Sequence, residues 1–168
     1  HASVCNHGAR LLELWVIDAQ GQWRDVVLGY DHLKQMLDGM ASMGAFVGRY
    51  ANRIAYASFP FGTQRWSVPA NEGPHCLHGG PGGSRHRVFD ITKVHEDRVD
   101  MAWTFRTNDD GFPGDVELAL QYRLQGSTLC IEYQARVSGA ASPLSFTTHP
   151  FFNLNGEPHA SVLDHTLQ

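Results

Sequence analysis

Apolar and polar residues alternate along much of this chain with the period of two that sends successive side chains to opposite faces of a β-strand. The alternation is clearest over residues 116–124 (Val116, Leu118, Leu120 and Tyr122 against Glu117, Ala119, Gln121 and Arg123) and over residues 99–105. Gln125-Gly126-Ser127 then reads as a turn into a partner strand at 129–135, and His95-Glu96-Asp97 as a turn behind a strand at 88–94. Residues 88–135 therefore predict an antiparallel meander. Upstream, the apolar run 11–17, the turn Asp18-Ala19-Gln20-Gly21 and residues 23–28 predict a hairpin. Residues 3–5 read as part of a strand, and residues 58–61, Gly62-Thr63 and 64–68 as strand, turn and strand. One short helix is expected over 31–37, capped by Asp31 and ended by Gly39. Strands at this spacing, with neither repeat nor linker, predict one all-β domain, a sandwich or a barrel.

Composition sharpens the picture. Seventeen glycines and 11% aromatics suit strands and turns better than a helical bundle. A net charge of −4 without a basic stripe argues against nucleic acid as a partner, and no apolar run approaches a membrane span. Cys5, Cys76 and Cys130 are an odd number without metal-type spacing. With no leader-like start, they lead to the expectation of reduced thiols in a cytoplasmic protein. The chain begins inside strand-like sequence and stops where a new segment starts, which leads to the expectation of a fragment cut at both ends.

Candidate chemistry gathers at two histidine motifs. The first, Asn71-Glu72-Gly73-Pro74-His75-Cys76-Leu77-His78-Gly79-Gly80, opens a long Gly/Pro-rich loop over 69–85; the second is Thr147-Thr148-His149-Pro150-Phe151-Phe152-Asn153-Leu154-Asn155-Gly156. Imidazoles give and take protons near neutral pH, and beside aromatic rings they suit proton transfer on a small polar ligand such as a sugar. The competing reading makes His78 and His149 structural, bonded to backbone carbonyls in tight loops. His75 and His78, three apart around Cys76, lack the further ligands zinc needs. Arg53 reads as a sugar-hydroxyl ligand or a tie to a carboxylate, and Arg49 as structural. Trp66, Trp103 and the phenylalanines read as core, apart from an apolar platform at Phe151 or Phe152. His7, His32, His95, His159 and His165 read as surface or loop residues. The cluster around Gly111 and Gly114 reads as a structural turn.

With these residues in view, the chain resembles the aldose 1-epimerases, the galactose mutarotases. Gly48-Arg49-Tyr50-Ala51-Asn52-Arg53-Ile54, the first histidine motif, Asp110-Gly111-Phe112-Pro113-Gly114 and the second histidine motif carry the resemblance in the family's order, supported by Asp25-Val26-Val27-Leu28-Gly29-Tyr30. The resemblance implies an antiparallel β-sandwich (the galactose mutarotase-like supersandwich), incomplete in this chain. Residues 1–168 are then the N-terminal and central part of one aldose 1-epimerase-like domain. It implies interconversion of α and β anomers of free hexoses such as glucose and galactose, without cofactor or catalytic metal. By similarity His149 is the general acid at the ring oxygen and His78 its partner. Arg53 is a sugar ligand, with Asn52 and Asn71 nearby. The small-molecule aldohexose is the expected partner, and oligomeric state is left open. The family's general base is a glutamate near the C-terminus, and a sugar-binding aspartate also lies in that second half. Neither motif occurs here, and Glu157 is not that base. That absence raises a non-catalytic carbohydrate-binding relative as the alternative. A mutarotase for phosphorylated hexoses would need a basic phosphate pocket, which the sparse arginines do not suggest. Pro81-Gly82-Gly83-Ser84-Arg85-His86 is an unusual continuation of the first motif.

Overall fold

The computed structural model describes residues 1–39, 41–156 and 161–167; Glu157 and His159 lie outside the described residues. In chain order the strands are β1 Ala2–Cys5, β2 Arg10–Ile17, β3 Trp23–Asp25, β4 Phe46–Val47, β5 Arg53–Ile54, β6 Ser58–Phe61, β7 Gln64–Ser67, β8 Cys76–Leu77, β9 Asp90–Val94, β10 Arg98–Phe105, β11 Asp115–Gln125, β12 Thr128–Ser138 and β13 Thr147–Thr148. The helix α1, Leu33–Asp38, lies between β3 and β4. The ladders are antiparallel and the architecture is an all-β sandwich.

The meander forms as its alternation predicts. Strands pair in the order β12-β11-β10-β9, and Val116, Leu118, Leu120 and Tyr122 of β11 all turn inward. They pack with Leu11, Phe46, Phe89, Met101 and Phe105, joining the meander to the β1-β2-β3 sheet through one core. The Tyr122 hydroxyl satisfies itself there by donating to the Ala9 carbonyl at 2.7 Å. A second cluster gathers Ile54, Ala57, Val68, Cys76 and Phe112 under the long loop.

Three local expectations are corrected. The helix cap position is His32, not Asp31: Gln35 Oε1 accepts the His32 backbone N–H at 3.1 Å, half of a capping box. The hairpin mate of β2 stops at Asp25, because the Asp25 carboxylate accepts the N–H groups of Leu14 and Val27. Residues 26–28 then pair with 151–153 (Leu28 N–H to Phe151 O, Asn153 N–H to Val26 O), which carries the second histidine motif to this edge. Trp66 is half-buried outside the core, whereas Trp103 is half-buried and packs against it.

Charged residues are buried as well. Arg49 is 1% exposed and donates to the carbonyls of Pro113, Gly114 and Arg106, with its guanidinium over the rings of Phe105 and Phe112. It is the structural residue the sequence predicts, and it ties the first glycine-arginine block to the turn at Gly111–Gly114.

Candidate active site

Two short ladders build the site. In one, β4 pairs with β13 (Phe46 opposite Thr148), and the ladder continues past its end: His149 N–H donates to Ala45 O and Gly44 N–H to His149 O, both at 2.9 Å. In the other, β5 pairs with β8 (Arg53 opposite Leu77), placing Arg53 beside the first histidine motif. The rings of His78 and His149 meet between the ladders, centroids 5.2 Å apart and nearly perpendicular at 86°. Phe151 lies 5.2 Å from His149 with 42% of its surface exposed, so one wall of the site is an open apolar ring.

His78 is held by a reciprocal clasp. Its backbone N–H donates to Asn52 O at 2.9 Å, and its Nδ1 accepts the Asn52 N–H at 3.1 Å. Both residues adopt left-handed backbone, φ 56° at His78 and 64° at Asn52, a conformation that non-glycine residues reach only at a cost. Because Nδ1 spends its lone pair on an N–H, the neutral ring carries its proton on Nε2, the one nitrogen left for a ligand. Burial first, then His149, Arg85 and Arg53, push the His78 pKa down to about 4, against an opposing pull from Glu72. At neutral pH His78 is thus an uncharged hydrogen-bond donor.

Arg53 faces solvent. Its Nε and Nη2 donate to the two Glu72 oxygens at 2.5 and 2.6 Å, and Nη1 lies 3.4 Å from Asn52 Oδ1. The Arg53 hydrogen bond holds the Glu72 carboxyl below the usual range. Asn71 reaches the same loop but uses its amide on the backbone of Leu77, donating to its carbonyl at 3.0 Å and accepting its N–H at 2.7 Å. The structure therefore gathers His78, His149, Arg53 and Asn52, and places Asn71 behind the loop that presents them. Glu72 is the member that sequence reasoning missed. The signal was there, an acid inside a histidine-rich loop beside a candidate arginine, but its partner could not be read from spacing.

The remaining features of the first motif are structural. His75 Nδ1 accepts the Tyr56 N–H at 3.1 Å, repeating the His78 arrangement at the other end of the β5–β8 ladder. Burial raises the Cys76 thiol to about 11, which leaves it protonated and unreactive. Among the described residues, no group of three or more His, Cys, Asp or Glu side chains is placed to hold a metal ion.

The fold is thus an antiparallel β-sandwich that brings two perpendicular imidazoles and a guanidinium together on an open face. The comparisons make this specific. The model of the aldose 1-epimerase family matches residues 1–168, and the chain belongs to that family. It is 34% identical over 164 residues to the galactose mutarotase of Bos taurus, covering 98% of this chain and 47% of that protein. It is 35% identical over 167 residues to the aldose 1-epimerase of Escherichia coli (strain K12), covering 99% and 48%. The crystal structure of the aldose epimerase homologue from C. elegans superposes with a TM-score of 0.88 at 33% identity, over 93% of this chain and 48% of that one. The galactose 1-epimerase structure from Lactobacillus acidophilus NCFM, at 24% identity and a TM-score of 0.78, supports the fold. The chain spans about half the length of the curated relatives it matches.

Proposed function

We propose that residues 1–168 form the acid-bearing half of a single aldose 1-epimerase domain that interconverts the α and β anomers of free aldohexoses such as galactose and glucose. Opening a cyclic hemiacetal requires a base at the C1 hydroxyl and an acid at the ring oxygen as the C1–O5 bond breaks. Rotation about C1–C2 and closure on the other face run the same groups in reverse. In this reading His149 protonates the ring oxygen. His78, neutral and with its proton on Nε2, donates to the same region and polarises the breaking bond. Arg53 keeps N–H groups beyond its Glu72 pair for vicinal sugar hydroxyls. Asn52 fixes the His78 tautomer, Asn71 holds the loop, and Phe151 offers a ring to the apolar face of the sugar. The base is the glutamate that the family carries in its second half.

The observation that carries this reading is the perpendicular His78–His149 pair with the tautomer of one ring fixed by the Asn52 N–H. Arg49 and Arg85 are buried on backbone and Ser42 partners, which disfavours a phosphate pocket and favours the unphosphorylated sugar. We place the protein in the cytoplasm, in hexose metabolism. Its three cysteines are free, and no helix among the described residues is long and apolar enough to cross a membrane.

Polarimetry of freshly dissolved α-D-galactose tests the proposal, on this chain joined to a family second half carrying the glutamate. The expected result is accelerated mutarotation that saturates with sugar. Replacing His149 by Ala should reduce turnover by roughly 100- to 10,000-fold and sugar affinity far less. Saturable sugar binding without acceleration would establish the carbohydrate-binding alternative instead.

A further inference from the structure

The two imidazoles belong to different ladders, so something must set the distance between them. His149 extends the β4–β13 ladder and His78 ends the β5–β8 ladder. The loop leaving His78 folds back onto β4 at a three-residue turn, Ser84–His86, and the seat is Ser84. Its hydroxyl is fully buried and donates to Phe46 O at 2.6 Å, with Gly48 O at 3.2 Å; its backbone N–H donates to Gly48 O at 2.9 Å. Phe46 is the β4 residue opposite Thr148, the neighbour of His149. Glycines let the loop come this close. A Cβ on Gly79 would lie 2.5 Å from Gly48 O, and one on Gly83 would lie 2.3 Å from the His78 carbonyl. One hydroxyl thus joins the strand that places His149 to the loop that presents His78. It lies in the continuation, residues 81–86, that stands out as unusual in the sequence.

We propose that Ser84 is a positioning residue that sets the His78–His149 spacing. Resting on the acid–base reading above, the proposal assigns Ser84 no contact with substrate. Ser84 bonds neither Arg53 nor its Glu72 partner, so loss of Ser84 should disturb the acid pair and spare sugar binding. A displacement of about 1 Å in catalytic groups costs on the order of 100-fold in rate.

The test compares Ser84→Ala with Tyr122→Phe, which removes another buried hydroxyl–carbonyl bond that involves neither β4 nor the loop leaving His78. The first readout is the nuclear Overhauser effect between the ring protons of His78 and His149 in the 168-residue chain. The second is kcat and KM for galactose in the protein carrying the family's second half. Ser84→Ala should weaken the Overhauser effect and lower kcat by roughly 10- to 100-fold, with KM within about twofold. Tyr122→Phe should lower thermal stability and change neither. Ser84→Cys keeps a weak donor on a larger atom and should give the same pattern if the alanine variant does not fold. An unchanged Overhauser effect and kcat in the Ser84 variants overturns the proposal, as does an equal loss of kcat in Tyr122→Phe. If the parent protein does not accelerate mutarotation, the epimerase reading fails, and the Overhauser comparison still decides whether Ser84 sets the spacing.

Discussion

A histidine held neutral by its surroundings makes a direct measurement possible. The His78 pKa falls from 6.5 to about 4, caused first by burial and then by His149, Arg85 and Arg53. That difference corresponds to at most about 3 kcal/mol, since one unit is about 1.4 kcal/mol and solvent screening reduces the sum. The sign follows from which state binds the proton. Between pH 6.5 and about 4 the unfolded chain takes a proton at this residue that the folded chain refuses. The His78 contribution is therefore intact above pH 6.5 and is lost as pH falls toward 4. Long-range nitrogen–proton NMR of histidine-labelled protein reads both charge and tautomer. His78 should remain the Nε2–H tautomer through neutral and mildly acid pH and titrate near 4. In His149→Ala, which removes the neighbouring ring and admits water, the midpoint should move back toward 6.5. A His78 midpoint near 6.5 in the unmutated protein, or a proton on Nδ1, refutes the argument.

Other substitutions separate binding from folding. Replacing Arg53 by Ala should raise KM for galactose by roughly 10-fold, the loss expected of a charge-assisted hydrogen bond, and keep part of the turnover; unchanged affinity in a titration calorimeter would remove Arg53 from the sugar. Replacing Arg49 by Ala strands the carbonyls of Pro113, Gly114 and Arg106 and opens space between Phe105 and Phe112, and should cost about 3 kcal/mol or more by denaturant titration. Gly44→Ala should cost about 1–3 kcal/mol, because its backbone is left-handed at φ 69° and the new Cβ falls 2.0 Å from Leu11 O. Its N–H also holds the His149 carbonyl, so the thermal midpoint and the mutarotase rate should fall together.

The longer strands were legible because alternation needs only a few periods to declare itself. Strands β9 to β12 and the β6–β7 hairpin stand close to where periodicity and turn residues place them. The four short strands that build the site were not legible. Phe46–Val47, Arg53–Ile54, Cys76–Leu77 and Thr147–Thr148 are each two residues long, and two residues show no period. Left-handed backbone at Asn52 and His78 carries only a weak compositional signal, since neither residue is glycine. Buried Arg10, Arg49 and Arg85 run against the expectation that guanidiniums face water, and only their tertiary partners make sense of them. The family blocks nonetheless single out His78, His149 and Arg53, which the structure brings close to one another even where the strands around them show no period.

The two-ladder construction also orders events in time. The hairpins of the meander join neighbours in the chain and close by short loops, on the microsecond scale. Pairing Phe46 with Thr148 closes a loop of about 100 residues, whose entropy must be met before any contact there rewards it. The imidazoles therefore meet only when one of the chain's long-range pairings is complete. In a refolding experiment the β-sheet circular dichroism should return first and the His78–His149 Overhauser contact later, so that the histidine pair serves as a clock for long-range closure.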